Sequence, residues 1–496
     1  MQLTDLIRGL NAKSIQGSAD REITGVRYDS RRVTGGNLFV AVRGAAFDGH
    51  SFIEQAIDKG AVAVVGEQAA LSQRATAIVV QDSREALAQL GATFFGNPSR
   101  KLKMIGVTGT NGKSTTTFLI KHLLERAGQS TGLIGTVQYE IGERLLPAPR
   151  TTPESLDLQD LLSQCVEAGC RNVVIEVSSH ALSQGRSSEI EFSVGVFTNL
   201  TRDHLDFHRG MKDYFEAKAR LFESLRQSGN KDRKAVINVD DPYGQQLVGR
   251  FGRDLSIITY GMGARADFRA SDFKVEINGT SYRLDAKDKS YLVRLPLIGR
   301  FNIYNSLATL ATARAVGLDV RNAVLALAKA PQIPGRLEAV PARRKFQVFV
   351  DYAHTDDALL NVAKTCRDLN PSRLILVFGC GGNRDRTKRP LMGAIADQYA
   401  DYSFITSDNP RKEDPEEILR DIEAGFQHKN YEKVVDRREA IARAIAMAQP
   451  RDIVLIAGKG HEKYQEFSDH TVPFDDVEIA GRALEEHPVE LSRHGS

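Results

Sequence analysis

The stretch GVTGTNGKSTTTF, residues 106–118, decides the fold expected for this chain. It leads from the strand-like run KMIGVTG into TNGKSTTTFLIKHLLERAG, which has a helical period. Small residues between a strand and a helix let backbone N–H groups approach an anion, and the helix dipole strengthens the attraction. We therefore predict a phosphate-binding loop in which Lys113 neutralises the β- and γ-phosphates of a nucleotide and the Ser114 hydroxyl ligates Mg²⁺. The loop residues are Gly109, Thr110, Asn111, Gly112, Lys113, Ser114 and Thr115.

The spacing of this loop differs from the common phosphate-loop pattern at one place. That pattern has a glycine five residues before the glycine of the Gly-Lys pair, where this chain has Val107. The alternative interpretation is a glycine-rich turn that carries a surface lysine. Strand, loop, Lys-Ser pair and helix nevertheless follow in the expected order, which favours the phosphate loop.

Length and composition are typical of a soluble multidomain protein. The 496 residues exceed what one hydrophobic core supports, so roughly two to four domains are expected. A net charge of +3 gives no reason to expect a nucleic-acid or anionic-membrane partner. The N-terminus lacks a signal-peptide pattern, and no apolar run approaches the ~18 residues of a membrane span. The four cysteines form no CxxC pair and are expected to be reduced thiols of a cytoplasmic enzyme.

Strand and helix patterns divide the chain into three predicted domains, residues 1–100, 101–333 and 334–496. Boundaries are expected at the turn-rich stretches GNPSRKLK and APQIPGRLE. Within the second domain, FKVEINGTSYRL predicts a hairpin with an Asn278-Gly279 turn. The predicted fold class is α/β, with a small α/β N-terminal domain, a central P-loop ATPase-like parallel sheet and a C-terminal Rossmann-like doubly wound domain.

Further residues of the central domain are candidates on local grounds. Glu176 follows a predicted strand, at the edge where open α/β sheets bind ligands, so it is a candidate for Mg²⁺; a surface position is the alternative. His204 and His208 are four residues apart, which suggests a zinc helix, but Leu205 stands where the metalloprotease motif needs Glu. Lys218 lies in an ordinary helical stretch, and its local pattern indicates a solvated lysine.

Four loops of the last domain follow predicted strands: DYAH, GCGGNRDR, SDNPR and AGKGHE. Because strand ends of a parallel sheet lie along one edge, these loops are expected to converge. They carry Arg384 and Arg411 beside Asp408 and Glu462, a mixture that suits a ligand with both ammonium and carboxylate groups. Other motif residues of the same predicted site are Asn409, Pro410 and Gly458.

A series of motifs resembles those of the Mur ligases, which are ATP-dependent, amide-bond-forming enzymes of peptidoglycan precursor synthesis. In chain order they are GVTGTNGKSTTT, EVSSHAL, NLTRDHLDFH with YFEAKARLF, GRFNIYN, PGRLE, DYAHT, GCGGNRDRTKRPLMG, DNPR and AGKGHE. The resemblance covers nearly the whole chain. It implies three domains that bind, in turn, the UDP part of an acceptor, ATP and an incoming amino acid. It also implies a cytoplasmic enzyme of cell-wall biogenesis, and hence of cell shape and division, that uses ATP and Mg²⁺; we expect a monomer.

The resemblance assigns roles to individual residues. Lys218 takes the position of a carbamylated lysine, whose carbamate would bind Mg²⁺ together with Ser114, Glu176 and His204, and Lys113 completes the catalytic set. Positions near the nucleotide are Asn302, Arg336 and Asp351. Positions for the uridine nucleotide are Tyr28, Ser30, Ala45, Ala46 and Phe47. Positions for the muramoyl dipeptide are Thr151, Thr152, Ser178, Gln184 and Arg186, whereas Arg150 receives no role.

The resemblance also implies a reaction. The γ-phosphoryl group of ATP would go to the side-chain carboxylate of D-glutamate in UDP-N-acetylmuramoyl-L-alanyl-D-glutamate, because an acyl phosphate has phosphate as its leaving group whereas a carboxylate would have to lose oxide. The motif DNPR implies that the attacking amine belongs to meso-diaminopimelate, since Arg411 can bind its second carboxylate. Lysine lacks that carboxylate and would leave Arg411 unpaired.

Two alternatives stay open from the sequence. One is a ligase of the same family that adds L-lysine. The other is a P-loop regulatory ATPase that switches a partner by its nucleotide state, which would leave the N-terminal domain and the DNPR motif unexplained. A folylpolyglutamate-type ligase has a similar core, but the N-terminal domain argues against it.

Overall fold

Each third of the chain is built around its own β-sheet in the computed structural model, which describes residues 1–44, 47–68, 71–205, 207–287, 289–341 and 344–486. Two positions assigned above to the uridine nucleotide, Ala45 and Ala46, lie outside these ranges. Within the described ranges, no helix is both long enough and apolar enough to cross a bilayer.

The N-terminal domain is a small α/β unit. Its strands are β1 (Ala12–Gln16), β2 (Gly25–Arg27), β3 (Asn37–Val40), β4 (Ala63–Gly66) and β5 (Thr76–Val80). Its helices are α1 (Leu3–Leu6), α2 (Ile53–Asp58) and α3 (Ser83–Phe94), with 3-10 turns at Ser30–Arg32, Gly49–Phe52 and Pro98–Lys101. The sheet order is β1-β5-β4-β3-β2, parallel except for β1 at one edge. Runs such as that of β5 are buried throughout, as expected for parallel strands that are covered on both faces.

The central domain contains the largest sheet. Its strands are β6 (Lys103–Thr108), β7 (Thr131–Ile134), β8 (Gln138–Ile141), β9 (Arg144–Pro147), β10 (Asn172–Glu176), β11 (Phe192–Phe197), β12 (Lys234–Asn238), β13 (Ser256–Gly261), β14 (Phe268–Glu276), β15 (Gly279–Ala286) and β16 (Lys289–Leu295). Its helices are α4 (Lys113–Arg126), α5 (Ser155–Glu167), α6 (Ser179–Ser183), α7 (Met211–Gln227), α8 (Pro242–Phe251), α9 (Arg300–Ala315) and α10 (Val320–Leu327). The strand order is β16-β15-β14-β13-β12-β11-β6-β10-β7-β8-β9.

The middle of this sheet is parallel and lies between two helical layers. Apolar side chains of α4, α9 and α10 form one core against it, and those of α5, α7 and α8 form the other. Antiparallel strands flank the parallel part, β8–β9 on one side and β14–β16 on the other. In this arrangement β6 is a central strand, so the loop that follows it leaves from the middle of the sheet edge.

The C-terminal domain is doubly wound. Its strands are β17 (Glu338–Ala339), β18 (Gln347–Asp351), β19 (Leu374–Phe378), β20 (Tyr402–Ile405), β21 (Tyr431–Lys433), β22 (Ile453–Ala457), β23 (Tyr464–Glu466) and β24 (Thr471–Pro473). Its helices are α11 (Asp356–Asp368), α12 (Lys388–Tyr399), α13 (Pro415–Glu423), α14 (Arg437–Met447) and α15 (Asp476–Glu486). The sheet order is β17-β18-β22-β19-β20-β21, parallel from β18 onward, and β23 pairs separately with β24.

The architecture confirms the predicted α/β fold class and corrects one detail of it. The hairpin predicted from FKVEINGTSYRL is present as β14–β15, but Glu276 pairs with Gly279, so the turn is Ile277-Asn278 rather than Asn278-Gly279. Gly279 is the first residue of the second strand, where its φ of 136° and the carbonyl of Leu295, 2.2 Å from any added Cβ, require glycine. The turn therefore lies one residue earlier in the chain than predicted. The hairpins β8–β9 and β23–β24 were not predicted.

A fully buried ion pair ties α14 to α15. Arg437 and Asp476 both have side chains with 0% exposure, and the guanidinium donates from Nε to Oδ1 at 2.8 Å and from Nη2 to Oδ2 at 2.7 Å. Nη2 also donates to the carbonyl of Ala457 at 3.0 Å, at the end of β22. Each charge is acceptable in the interior only because the other one is present.

We expect Asp476→Ala to destabilise the protein by about 3–5 kcal/mol, because it leaves the Arg437 charge buried without its partner. The matched control is Arg443→Ala on the same helix, whose side chain is 46% exposed and whose ion pairs with Glu432 and Glu439 should contribute less than about 1 kcal/mol. Urea unfolding followed by far-ultraviolet circular dichroism measures both, since the chain has no tryptophan. Equal shifts of the unfolding midpoint in the two variants would show that the buried ion pair contributes no more to stability than the exposed ones.

Candidate active site

The loop between β6 and α4 has the backbone geometry of a phosphate loop. Gly109 and Gly112 have φ angles of 151° and 84°. A Cβ at Gly109 would lie 1.8 Å from the hydroxyl of Thr198, and one at Gly112 would lie 2.3 Å from the amide oxygen of Asn305. Both glycines are therefore required by close packing as well as by conformation. Gly112 is the N-cap of α4, so the helix begins directly at the loop.

Two lysine ammonium groups meet on a single carbonyl of this loop. Lys113 Nζ donates to the carbonyls of Gly109 at 3.0 Å and Thr110 at 2.7 Å. Lys218 Nζ, from α7, donates to the same Gly109 carbonyl at 2.7 Å. Burial lowers the pKa of Lys113, and burial together with the charge of Lys113 lowers the pKa of Lys218 far below its ordinary value. Lys218 is thus a buried lysine and not the solvated one that its local pattern indicates.

Tyr214 connects Lys218 to the predicted metal ligands. Its ring centroid lies 4.6 Å from Lys218 Nζ and 6.2 Å from the ring centroid of His204, and His208 stacks on it at 4.9 Å. Its hydroxyl is 3.1 Å from the Thr110 hydroxyl, and burial raises the pKa of the phenol. Tyr214 stands one helical turn before Lys218 in YFEAKARLF, and it was not among the residues predicted from the sequence.

His204 lies on the loop that follows β11, with a left-handed φ of 54°. Its Nε2 is 3.3 Å from Asp203 Oδ2, while His208 Nε2 lies 3.0 Å from the Ser179 hydroxyl. Within the described part of the chain, no group of three or more His, Cys, Asp or Glu side chains is placed to hold a metal ion.

Glu176 is fully buried at the end of β10, not at the surface. One carboxylate oxygen accepts from the backbone N–H of Thr136 at 2.9 Å and the other accepts from its hydroxyl at 3.0 Å. The charge of Glu176 acts on Lys113 and partly offsets the effect of burial on its pKa. Each oxygen keeps acceptor capacity for a hard cation.

The C-terminal domain reaches the phosphate loop through Arg336. Its Nη2 donates to the Ser114 hydroxyl at 3.0 Å, and its guanidinium lies 5.0 Å from the ring centroid of Tyr352. Asp351 accepts from the backbone N–H groups of Leu337 at 2.6 Å and Ala353 at 2.8 Å; burial raises its pKa and Arg336 opposes that shift. The Nε of Arg336 is buried and has no hydrogen-bond partner among the described residues. An unpaired guanidinium donor above the loop fits a phosphate ligand.

A cavity of about 310 Å³ adjoins the loop. Asn111, Ser114 and Thr115 line it from the loop, and helix α11 lines it from the third domain. Asp357 of α11 accepts from the Asn111 amide at 2.9 Å and from the Thr201 hydroxyl at 3.0 Å, and so joins the two domains. The cavity is bordered by Asn305 rather than by Asn302 among the described residues. Asn302 is buried and accepts from the Asn305 amide at 2.9 Å, which gives it a positioning role.

A second cavity, of about 500 Å³, lies beside the first and collects the loops of the third domain. The predicted residues that line it are Arg384, Asp408, Asn409, Arg411, Gly458 and Glu462. The convergence of these loops at one sheet edge is therefore observed. Pro410 is not among the described residues that form its wall. His354 also lines it, and burial and Lys388 lower the pKa of this imidazole to about 4, which keeps it neutral.

Arg411 is held rigidly at this cavity. Its Nε donates to Glu466 Oε2 at 2.8 Å and its Nη1 donates to the carbonyl of Gly382 at 2.9 Å. Its backbone has a φ of 53°, and its N–H donates to the carbonyl of Glu466 at 3.1 Å. Nη2 makes no hydrogen bond to any part of the chain that the structure describes. The guanidinium is thus oriented from behind and keeps a donor for a ligand.

The acidic side of the cavity is organised by a buried lysine. Lys459 Nζ donates to the Asn409 amide oxygen at 2.9 Å and to Glu462 at 3.2 Å, and lies 3.6 Å from Asp408 Oδ1. Asn409 in turn donates to Glu462 at 2.9 Å. Asp408 Oδ1 is buried and makes no hydrogen bond among the described residues. Lys459 lies in the AGKGHE motif, but it was not among the residues predicted from the sequence.

The residues assigned to the muramoyl dipeptide form one network around the end of β10. The Thr152 hydroxyl donates to the carbonyl of Glu176 at 2.7 Å, and Arg186 Nη1 donates to the carbonyl of Thr152 at 3.2 Å. Ser178 caps α6, and Gln184 accepts from Arg186 Nη2 at 2.5 Å. The hydroxyl groups of Thr151 and Thr136 lie 3.0 Å apart. The structure thus brings all five predicted residues to the neighbourhood of Glu176.

The residues assigned to the uridine nucleotide lie in different environments and do not form one network. The Tyr28 hydroxyl donates to Asp157 of the central domain at 2.5 Å, so it forms a contact between domains. The Ser30 hydroxyl is buried and donates to Gln55 at 2.8 Å. Phe47 is 74% exposed, which leaves its ring open to a ligand.

Comparisons with known proteins are consistent across the whole chain. Residues 22–95 match the family model described as Mur ligase family, catalytic domain; residues 107–313 match the Mur ligase middle domain; and residues 335–460 match the Mur ligase, glutamate ligase domain. The chain is 46% identical to the UDP-N-acetylmuramoyl-L-alanyl-D-glutamate--2,6-diaminopimelate ligase of Syntrophomonas wolfei, over 98% of this chain and 99% of the relative. It is 44% identical to the protein of that name from Bacillus velezensis, over 98% and 99%. A solved structure of a protein with that name is 34% identical, with a TM-score of 0.70, over 98% of this chain and 99% of the other. The chain therefore belongs to the Mur ligase family.

Proposed function

We propose that this protein is an ATP-dependent ligase that joins meso-diaminopimelate to UDP-N-acetylmuramoyl-L-alanyl-D-glutamate in peptidoglycan precursor synthesis. In this proposal residues 1–100 bind the UDP part, residues 101–333 bind ATP and residues 334–496 bind the amino acid, in a cytoplasmic monomer. The choice of substrates is supported by the two relatives named as UDP-N-acetylmuramoyl-L-alanyl-D-glutamate--2,6-diaminopimelate ligases, which align with this chain over nearly their whole length.

The observation that carries the proposal is the wall that the two cavities share. Residues 198, 199 and 201 face the cavity at the phosphate loop, and residues 202–205, next in the chain, face the second cavity, where the amino acid would bind. The segment 351–362 divides in the same way, with Asp351 and Asp357 on one side and Tyr352 and His354 on the other. A carboxylate activated at the loop would therefore stand within reach of an amine bound in the second cavity.

The reaction takes place in two steps, and both reactants must be held close together for it. In the first, a carboxylate oxygen of D-glutamate takes the γ-phosphoryl group of ATP, and ADP leaves with the electrons of the broken P–O bond. In the second, the amine nitrogen attacks the carbonyl carbon, loses a proton and expels phosphate. Both reactants of the first step are anions, so Lys113, Arg336 and the N–H groups of the loop would offset their repulsion.

The donor set at the loop also fits Mg²⁺. Ser114 and Glu176 offer hard oxygen ligands, and His204 lies on the adjoining loop as a less usual partner. When bound, the ion would neutralise charge on the transferring phosphoryl group.

Carbamylation of Lys218 would place a negative charge beside Lys113, at a position where a second ammonium is disfavoured. The neutral amine of Lys218, which its lowered pKa favours, would add to CO₂ and release a proton, which gives an anionic carbamate on the side chain. The shared Gly109 carbonyl and the burial of both lysines therefore favour such a change. The carbamate would add an oxygen ligand for the metal.

Arg411 is the residue that would select meso-diaminopimelate. Glu466 and Gly382 fix its guanidinium, and the second carboxylate of the amino acid would accept from Nη2. At the same cavity, Asp408 Oδ1 has no hydrogen-bond partner among the described residues and would accept from an ammonium group. L-Lysine would satisfy the acidic side of the cavity but not Arg411.

The experiment that tests the proposed function combines the protein with ATP, Mg²⁺, the uridine-linked dipeptide and one amino acid at a time. Mass spectrometry should find the amide of meso-diaminopimelate, and ADP release should depend on the dipeptide acceptor. A preference for L-lysine would support the lysine-adding alternative. ADP release at the same rate without acceptor, and no amide, would support a regulatory ATPase and contradict the proposal.

Arg411→Ala should lower kcat/KM for meso-diaminopimelate by roughly tenfold to hundredfold, because the loss of one charge-assisted contact costs about 1.5–3 kcal/mol. The KM for ATP should stay unchanged, and the low activity with L-lysine should not fall. The control is Lys412→Ala, at the exposed neighbouring position. An equal loss with both amino acids would mean that Arg411 supports the fold of the loop and not the choice of substrate.

Lys218→Ala should abolish ligase activity, and the unaltered protein should carry the mass of one added CO₂ on Lys218. Depletion of bicarbonate should lower its activity and readdition should restore it. The control Lys212→Ala removes an exposed lysine of the same helix and should change neither activity nor bicarbonate dependence. Full activity of the Lys218 variant would rule out the carbamate.

A further inference from the structure

The loop that carries the DNPR motif, residues 408–411, is held from two sides by the backbone of the third domain. On one side it packs so closely against Gly382 that a Cβ there would lie 1.9 Å from the carbonyl oxygen of Pro410. On the other side, the N–H of Arg411 donates to the carbonyl of Glu466, the last residue of β23, at 3.1 Å. Both contacts are made by backbone atoms, so neither depends on the side chain at position 466.

The side chain of Glu466 has a separate task, which is to direct the guanidinium of Arg411. Among the described residues, Arg411 is the one hydrogen-bond and ion-pair partner of this carboxylate, through Nε at 2.8 Å. Nη1 is held by the carbonyl of Gly382, so the direction of Nη2 follows from these two contacts. The Glu466 side chain is 41% exposed, and a partly exposed ion pair adds little to the stability of the fold. The carboxylate therefore affects the orientation of Arg411 more than the folding of the loop.

A donor with a fixed direction can distinguish the two configurations of a carbon atom. The far carbon of diaminopimelate, at the end away from the attacking amine, carries a carboxylate and an ammonium group. Inverting this carbon turns the meso isomer into the LL isomer and exchanges the places of the two groups. The second cavity offers Arg411 for the carboxylate and Asp408, whose buried Oδ1 makes no hydrogen bond among the described residues, for the ammonium group. If both partners are fixed, only one of the two arrangements satisfies them.

We propose that Glu466 is the positioning residue through which the second cavity distinguishes meso-diaminopimelate from its LL isomer. The inference rests on the proposed function, because it takes diaminopimelate as the amino acid that binds there. Glu466 acts through Arg411 and does not touch the ligand. Without its carboxylate, the flexible side chain of Arg411 could turn toward the carboxylate of either isomer, and the preference for one of them would decrease.

The test is steady-state kinetics of the full chain with meso- and LL-diaminopimelate in turn, at saturating ATP, Mg²⁺ and dipeptide acceptor. Glu466→Ala should raise the KM for the meso isomer roughly tenfold, because the carboxylate then meets a donor that is no longer held in place. The kcat/KM for the LL isomer should change little, so the ratio of the two kcat/KM values should fall roughly tenfold. The KM values for ATP and for the acceptor, and kcat, should stay unchanged.

A conservative variant separates the direction of Arg411 from its charge balance. Glu466→Gln removes the negative charge but keeps an oxygen that can accept from Nε, so it should retain most of the preference for the meso isomer. A loss as large as that of Glu466→Ala would mean that the charge matters and not the orientation, and it would overturn the inference. The control is Asp469→Ala, between β23 and β24, whose side chain is 81% exposed; it should leave both isomers unaffected.

A double variant shows whether Glu466 acts through Arg411. Once Arg411→Ala has removed the guanidinium, the carboxylate of Glu466 has nothing left to orient. Adding Glu466→Ala to Arg411→Ala should therefore cause no further change in the ratio of kcat/KM values for the two isomers. A further fall as large as that of Glu466→Ala alone would mean that Glu466 meets the ligand directly, which would contradict the positioning role.

The unaltered protein separates a failure of this inference from a failure of the proposed function. If it forms no amide with either isomer, the proposed function fails and the role of Glu466 fails with it. If it forms the amide but uses both isomers equally well, or if Glu466→Ala keeps the full preference for the meso isomer, the inference alone is wrong. If Glu466→Ala does not fold, as judged by circular dichroism, Glu466→Met decides the question, because it keeps a long side chain without a carboxylate oxygen.

Discussion

The contact of two lysine ammonium groups with the carbonyl of Gly109 is the constraint to which the rest of the site responds. Burial, and the charge of Lys113 beside it, make a second ammonium costly here, so the pKa of Lys218 lies far below its ordinary value. The neighbouring groups reduce that cost: Glu176 and Asp203 act on Lys113, and the face of the Tyr214 ring lies against Lys218. What remains is a concentration of positive charge at the strand end of the central sheet. It is costly in the protein alone and favourable next to the phosphates of a nucleotide.

Contacts between the second and third domains hold the positively charged phosphate loop next to the second cavity. Arg336 and Asp357 both come from the third domain, and they reach Ser114 and Asn111 on the phosphate loop. A hydroxyl oxygen has two lone pairs, so Ser114 can accept from Arg336 and still offer an oxygen to a cation. The loop is therefore complete only when the third domain is in place. The same domain carries the second cavity, so in the proposed reaction the position that completes the loop would also bring the amine to the carboxylate.

Much of the fold and of the candidate site could be predicted from the sequence, but the residues that connect the parts of the site could not. Strand-helix alternation and the glycine-rich loop were enough for the α/β fold and for Lys113, because their signals are local. The expected convergence of loops at the strand ends of a parallel sheet placed Arg384, Asp408, Arg411 and Glu462 at one site, and all four line the second cavity. The sequence patterns did not reveal Tyr214, Lys459 or Asp357, since an aromatic, a lysine and an aspartate in helices and loops have many ordinary uses. The fully buried state of Glu176 and Lys218 also escaped local pattern, because burial of a charged residue depends on strands and helices that are distant in sequence.

The hairpin β23–β24 shows why these missing connections matter. Arg411 could bind a carboxylate in many orientations, since its side chain has several rotatable bonds. Its direction is set by Glu466 on β23, which accepts from the Arg411 backbone through its carbonyl and from Nε through its carboxylate, while its own N–H donates to Asn409 at 3.0 Å. One residue of the hairpin thus fixes both Asn409 and Arg411 of the DNPR motif. The motif supplies the charge and the hairpin supplies the direction, so the proposed selectivity for a second carboxylate would depend on both and not on the arginine alone.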